Sequence, residues 1–200
     1  MKFATIVLLA IALVGSAGSL TADDPAGAGE IALAYIGRSV CPEDPAKPCI
    51  CFVYYTFVRG LDQEWLFNGK VEEKNARLVW VSEFFMQELP AAAPFQIMRA
   101  PAGTATIYFS EKPGARDLNH RSTLGVGVAD FVRKEGLSVY NSKTDAGTFT
   151  CSADLMWSQK VMLSNGKEFN LRDLIPNGMI CTEAWAGDSE VGTCTAISKK

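Results

Sequence analysis

The stretch GTFTCSADLMW, running from Gly147 to Trp157, decides the fold class. Its apolar residues take every second position: Phe149, Cys151, Ala153, Leu155 and Trp157 lie on one face, and Thr148, Thr150, Ser152 and Asp154 on the other. A period of two is the mark of a strand with one face in a core and the other in water. It also places Cys151 inside.

The strongest β-favouring run, Ile50 to Val58 (ICFVYYTFV), does not alternate. Phe52, Tyr54 and Val58 share one face, while Val53, Tyr55 and Phe57 share the other. Such a strand has to be covered on both sides. It is either central in a sandwich with an extra layer, or it lines an apolar cavity.

Outward from these two stretches, the text is mostly short β-favouring runs between turn residues. They cover Ile31 to Ile36, Arg77 to Val81, Phe95 to Arg99, Thr104 to Ser110, Ser122 to Arg133 and Lys160 to Leu171. Two late runs lie around Met179–Thr182 and Thr193–Ile197. Asn165-Gly166 is a hairpin signal that predicts Met162 opposite Phe169, and Asn68-Gly69 is a weaker second one. Only Ser82 to Leu89 (SEFFMQEL) reads as helix, with Ser82 as cap, Phe84, Phe85 and Leu89 inward and Pro90 as stop. Leu171 to Ile175 adds a single turn before Pro176. No internal repeat stands out. The expectation is an all-β chain: one antiparallel β-sandwich or barrel with one short helix, stapled by disulfides.

The N-terminus fixes the compartment in which the cysteines are read. Lys2, the apolar run Ile6 to Val14 and the small residues Gly15 to Ser19 form a secretory signal peptide, with cleavage after Ala17. The expected division is signal peptide 1–17, a flexible arm 18–29 and a single β domain 30–200, secreted or periplasmic, with no membrane anchor. In an oxidising compartment Cys41, Cys49, Cys51, Cys151, Cys181 and Cys194 read first as disulfides. Six cysteines allow fifteen pairings. Spacing favours Cys41–Cys49 around a Pro-rich loop and Cys181–Cys194 around a Gly-bearing acidic loop, which leaves Cys51–Cys151 at long range. Cys41–Cys51 is an equal alternative. Cys49-Ile50-Cys51 lacks the doubled spacing of a zinc site, so neither metal nor cofactor is expected.

Without Lys2, the 18 remaining Lys and Arg against 22 Asp and Glu give a net charge of −4. This mild acidity argues against a nucleic-acid partner, whose phosphates demand a basic footprint.

The catalytic signals are thin. The single histidine, His120, sits in a polar stretch with Asp117 and Ser122 and reads as a surface loop. Asp130 shares a face with Leu124, Val126, Val128 and Val132, so it reads either as a carboxyl with a raised pKa or as the sign of a bulge near Gly127 or Ala129. The opposite face, Gly125, Gly127, Ala129 and Phe131, leaves room for a neighbouring aromatic or a ligand. No catalytic residues are assigned. The function expected is binding of a protein or a small apolar molecule by an aromatic sheet of Phe52, Tyr54, Tyr55, Phe57 and Trp80, with Asp130 nearby. The alternatives are a carboxylate-based hydrolase using Asp130 and a structural envelope or matrix protein.

Overall fold

The computed structural model describes residues 29–197, except 43, 45, 119, 164 and 165. The signal peptide, all of the arm before Gly29 and the closing Ser198-Lys199-Lys200 lie outside the described residues.

The chain is a barrel. β1 (Ile31–Val40), β2 (Cys49–Val58) and β3 (Leu78–Phe84) lead into a meander of β5 (Phe95–Ala100), β6 (Gly103–Phe109), β7 (Val126–Asn141) and β8 (Ala146–Ser158). β11 (Met179–Ala186) and β12 (Ser189–Ala196) complete it. The hydrogen-bonded order runs β7-β6-β3-β2-β1-β12-β11-β8, and β8 pairs back onto β7. Each strand is antiparallel to its neighbours and beside its sequence neighbours, so an eight-stranded up-and-down barrel closes between β1 and β12. Closure leaves the eight staves no free edge.

β5 and β6 are two halves of one stave, because Ala100 faces Gly136 and Gly103 faces Arg133 without a change of register. The bend between them lets the three-residue β4 (Gln87–Leu89) pair with β5 and extend a lip at one end.

The period-two reading of Gly147 to Trp157 holds over four positions: Phe149, Cys151, Ala153 and Leu155 are buried. Trp157 is 44% exposed, because Met156 is an extra residue in β8 opposite Asp130 and Phe131 and breaks the alternation before it. β2 is covered on both sides, as its sequence required. Val53 and Tyr55 point into the barrel, while Phe52 is buried beneath an outer layer. That layer includes the four-residue helix α1 (Gln63–Leu66), Phe67, whose ring meets Tyr54 edge-on at 6.2 Å, and the Arg38 guanidinium over Phe52.

Three local expectations are corrected. Ser82 to Leu89 is not a helix: it carries the end of β3 and all of β4. Ser82 and Phe84 point inward while Glu83 and Phe85 are exposed, so the long-range ladders to β2 and β6 override a modest helix propensity. At the expected Asn165-Gly166 hairpin, of which Asn165 lies outside the described residues, β9 (Val161–Met162) pairs with β10 (Glu168–Phe169), with Met162 opposite Glu168 rather than Phe169. Leu163 N–H donates to the Lys167 carbonyl, which closes a loop one residue longer than expected, with Gly166 at φ +82°. Around Asn68-Gly69 the chain forms no ladder beyond a single bridge, Phe67 to Ala76, and Trp65 lies in α1. The turn before Pro176 is present as α2 (Leu171–Leu174), capped by Asn170, whose side chain accepts from Arg172 N–H.

Two of the expected disulfides are present, Cys41–Cys49 and Cys181–Cys194. The third is not: Cys51 and Cys151 are buried thiols. Arg133 stands between them. Its Nη1 donates to Ser82, the cross-strand partner of Cys51, and its Nη2 lies 3.5 Å from the Cys151 sulfur. Burial pushes both thiols above their ordinary pKa, which suppresses the reactive thiolate.

The two ends of the barrel differ. The long connections 59–77, 110–125 and 159–178 gather at one end. There Leu124, Leu163, Phe169, Leu171, Leu174 and Ile175 are buried. Among the described residues, the other end carries the disulfide loop between Cys41 and Cys49, the tip of the lip (90–94) and the turns 142–145 and 187–188.

Candidate functional site

β11 and β12 build the floor of the open end. Cys181 and Cys194 are opposed and bridged, so every second residue toward the mouth stays on the lumen face: Glu183 and Trp185 on β11, Gly192 and Glu190 on β12. Gly192 lies between Glu183 and Tyr35 of β1, its partners on either side. A Cβ there would sit 2.4 Å from the Tyr35 ring. Its absence lets the phenol cross β12 and donate to Glu183 Oε2 at 2.8 Å. Glu190 accepts from Ser39 Oγ at 2.8 Å and from Cys51 Sγ at 2.9 Å.

Glu190 is only 2% exposed and Arg133 only 4%. The guanidinium carbon of Arg133 lies 4.1 Å from the Phe84 ring centre and 5.0 Å from that of Phe149, and the two rings stack at 5.9 Å. Ligand atoms of Cys51, Glu183 and Glu190 all lie within 4.8 Å of one another. Burial is the largest cause of the raised pKa of both carboxyls. Glu190 adds repulsion at Glu183, which is pushed up to about 7 against the opposing pull of the Tyr35 hydroxyl and Arg133. The pair therefore takes up a proton near neutrality, as close carboxyls do when one cation stands nearby.

Above this floor is a cup of about 220 Å³, walled by Phe84, Met86, Phe149 and Trp185, with Ser39 and Ser138 among its polar groups. A second chamber of about 340 Å³ adjoins it and shares Cys41, Met86, Ser138 and Trp185. It runs out between the Cys41–Cys49 bridge and the lip, past Gln96 and Met98, to Tyr140, whose ring stacks on Trp185 at 5.0 Å. Below the floor the lumen narrows to about 20 Å³, because Tyr55, Trp80 and Phe131 fill it.

The residues expected to form one aromatic sheet are divided by the barrel wall. Tyr55 and Trp80 face the filled lumen, Phe52 and Tyr54 lie under the outer layer, and Phe57 is 40% exposed outside. None of the five lines the cup. Asp130 is exposed on the outer wall and accepts from Thr106 Oγ1 at 2.8 Å. The bulge at Val128, between the pairs Ile107–Ala129 and Tyr108–Gly127, breaks the alternation before it, and Asp130 points outward between the buried Ala129 and Phe131. His120 is exposed and pairs with Asp117 at 2.6 Å.

Glu183, Glu190, Arg133 and Trp185 escape a reading by runs, because residues 186–190 look like an acidic loop and Arg133 looks like a strand end. One signal pointed to three of them. The Cys181–Cys194 pairing, extended in steps of two, puts Glu183, Trp185 and Glu190 on the cysteine face.

No protein family, no curated protein and no solved structure matches this chain. Function is therefore read from the chemistry of the cup.

Proposed function

We propose that the protein is an exported binding barrel that holds one small molecule in the cup. The observation that carries this reading is the asymmetry of the lumen: filled to a void of about 20 Å³ below Glu183 and hollow above it. Eight staves give an interior that side chains just fill or that holds one small ligand, and here each half does one of these. Apolar walls with a few convergent polar groups are the usual make-up of a ligand pocket. Phe149 and Trp185 supply rigid contact area, while Ser39, Ser138 and the carboxyls supply orientation.

Two disulfides and a leader-like N-terminus support export. Among the described residues, no helix is long and apolar enough to cross a membrane.

Titration of the oxidised protein with Nile red tests the binding reading. Saturable uptake at one dye per barrel is expected, with a change in Trp185 fluorescence that is lost in Trp185→Phe. Ser138→Trp, which fills the cup from β7, is expected to abolish uptake while the thermal transition persists. Absence of saturable uptake by the native protein, or uptake undiminished in Ser138→Trp, overturns it.

A further inference from the structure

Resting on that reading, we propose that the natural occupant is an organic cation, an amine or related group on an apolar body, with its positive end on Glu183 and Glu190 and its body against Phe149, Met86 and Trp185. The sign of the charge follows from what faces the cup. Among the described residues, three lining side chains are acidic (Glu183, Glu190 and Asp188) and none is basic. Arg133, which lies near the floor, does not line the cup. Its two terminal nitrogens are turned to Ser82 and Cys151 and its face is against Phe84. An anionic ligand would meet three carboxyls before it met Arg133. A cation meets them first, and the apolar walls Met86, Phe149 and Trp185 receive the body that carries it.

The donors already on the floor fit this choice. Tyr35, Ser39 and Cys51 each give one hydrogen bond to a carboxyl oxygen, which holds the carboxyls as acceptors without neutralising them. Glu183 Oε1 accepts none of these three bonds. A proton shared by the pair and a ligand ammonium would do the same job, so the two compete. The groups that set this balance are Glu183, Glu190 and Asp188 on β11, β12 and their turn, Tyr35 on β1, Cys51 on β2, Arg133 on β7 and Cys151 on β8. Lys47 faces the outer chamber. The size also limits the ligand: a cup of about 220 Å³ is below the usual range of drug-sized pockets, so the charged end is compact and a longer body runs into the outer chamber.

The test is calorimetric titration with phenethylamine and its neutral analogue phenethyl alcohol, at about pH 8 and about pH 5. The amine is expected to bind at least about tenfold more tightly than the alcohol at the higher pH, where the pair has already lost its shared proton, and in a third titration at about pH 7 its binding is expected to release part of that proton. That preference is expected to vanish at the lower pH and in Glu190→Gln. If Glu190→Gln does not fold, the wild-type pH profile and proton release carry the same decision. Equal affinity for amine and alcohol at about pH 8 overturns the cation proposal and leaves the binding barrel standing. Failure of both probes, together with failure of Nile red, overturns both. Binding of Zn²⁺ to Cys51, Glu183 and Glu190 with no amine binding replaces the organic cation with a metal ion and also overturns the proposal.

Discussion

At the scale of single residues, the site depends on what is absent at Gly192. The tyrosine that reaches Glu183 occupies the space a side chain would need, and its ring is buried in the lumen with nowhere to retreat. Gly192→Ala is therefore expected to destabilise the barrel by about 1–3 kcal/mol, the usual cost of overpacking, in denaturant unfolding. Gly114→Ala, which meets nothing within 4 Å, should change stability by less than about 0.5 kcal/mol. The carboxyl at Glu183 gives a second expectation, with a definite sign. Its folded pKa of about 7 lies above the ordinary value of 4.5, so between those pH values the folded state binds the extra proton. Stability from this group is complete below about pH 4.5 and is lost as pH rises through about 7. Unfolding free energy should therefore slope downward across that window, by no more than about 1.4 kcal/mol per pH unit, and Glu183→Gln should flatten the slope. An upward slope in wild type, or an unchanged one in the variant, would show that burial does not hold this proton.

At the scale of elements, the mouth is held by a bridge rather than by packing. Cys41–Cys49 closes the β1–β2 loop over a sequence separation of 8 residues and forms part of the wall of the outer chamber. Chain entropy gives a loop of this length about 2–3 kcal/mol of stabilisation. The double variant Cys41→Ser, Cys49→Ser should lose about that much in thermal or denaturant unfolding and should also bind Nile red more weakly. Loss of stability with binding intact would mean that the loop does not shape the chamber. Sequence makes such elements legible where a local rule and the global fold agree. Gly147 to Trp157 alternates because β8 has core on one side only, and the two short-range bridges follow from the loops they close. It misleads where a tertiary ladder overrules a local preference, as at Ser82 to Leu89. It leaves alternatives open where a bulge decides which way a side chain points: at Asp130 parity allows a buried carboxyl or a bulge near Gly127 or Ala129, and the bulge, at Val128, is what the strand contains. The aromatic run of β2 was correctly read as covered on both faces, but coverage does not say which face is hollow, and neither is at the cup.

At the scale of the whole molecule, the barrel joins a stable end to an adaptable one. The lower half carries the filled lumen and the buried side chains of the three long connections. The upper half has a charged floor, open chambers and the lip, whose outer strand β4 pairs on one side only. β4 is a poor template for a further strand, since it has three residues, includes Glu88 and ends at Pro90. With few apolar contacts and a free edge, it belongs among the first elements to open. Amide hydrogen exchange should therefore be graded along the barrel axis. β4 and β5 should exchange fastest. The parts of β2, β7 and β8 around Tyr55, Phe131 and Ala153 should exchange slowest, near the global unfolding limit. Saturation with phenethylamine should slow exchange at the mouth strands and leave the filled half unchanged, because a ligand protects what it touches and what must open to release it. Uniform exchange from end to end would contradict a rigid base beneath an opening cup. Protection at the base alone would place the ligand below Glu183, in a lumen that has no room for it.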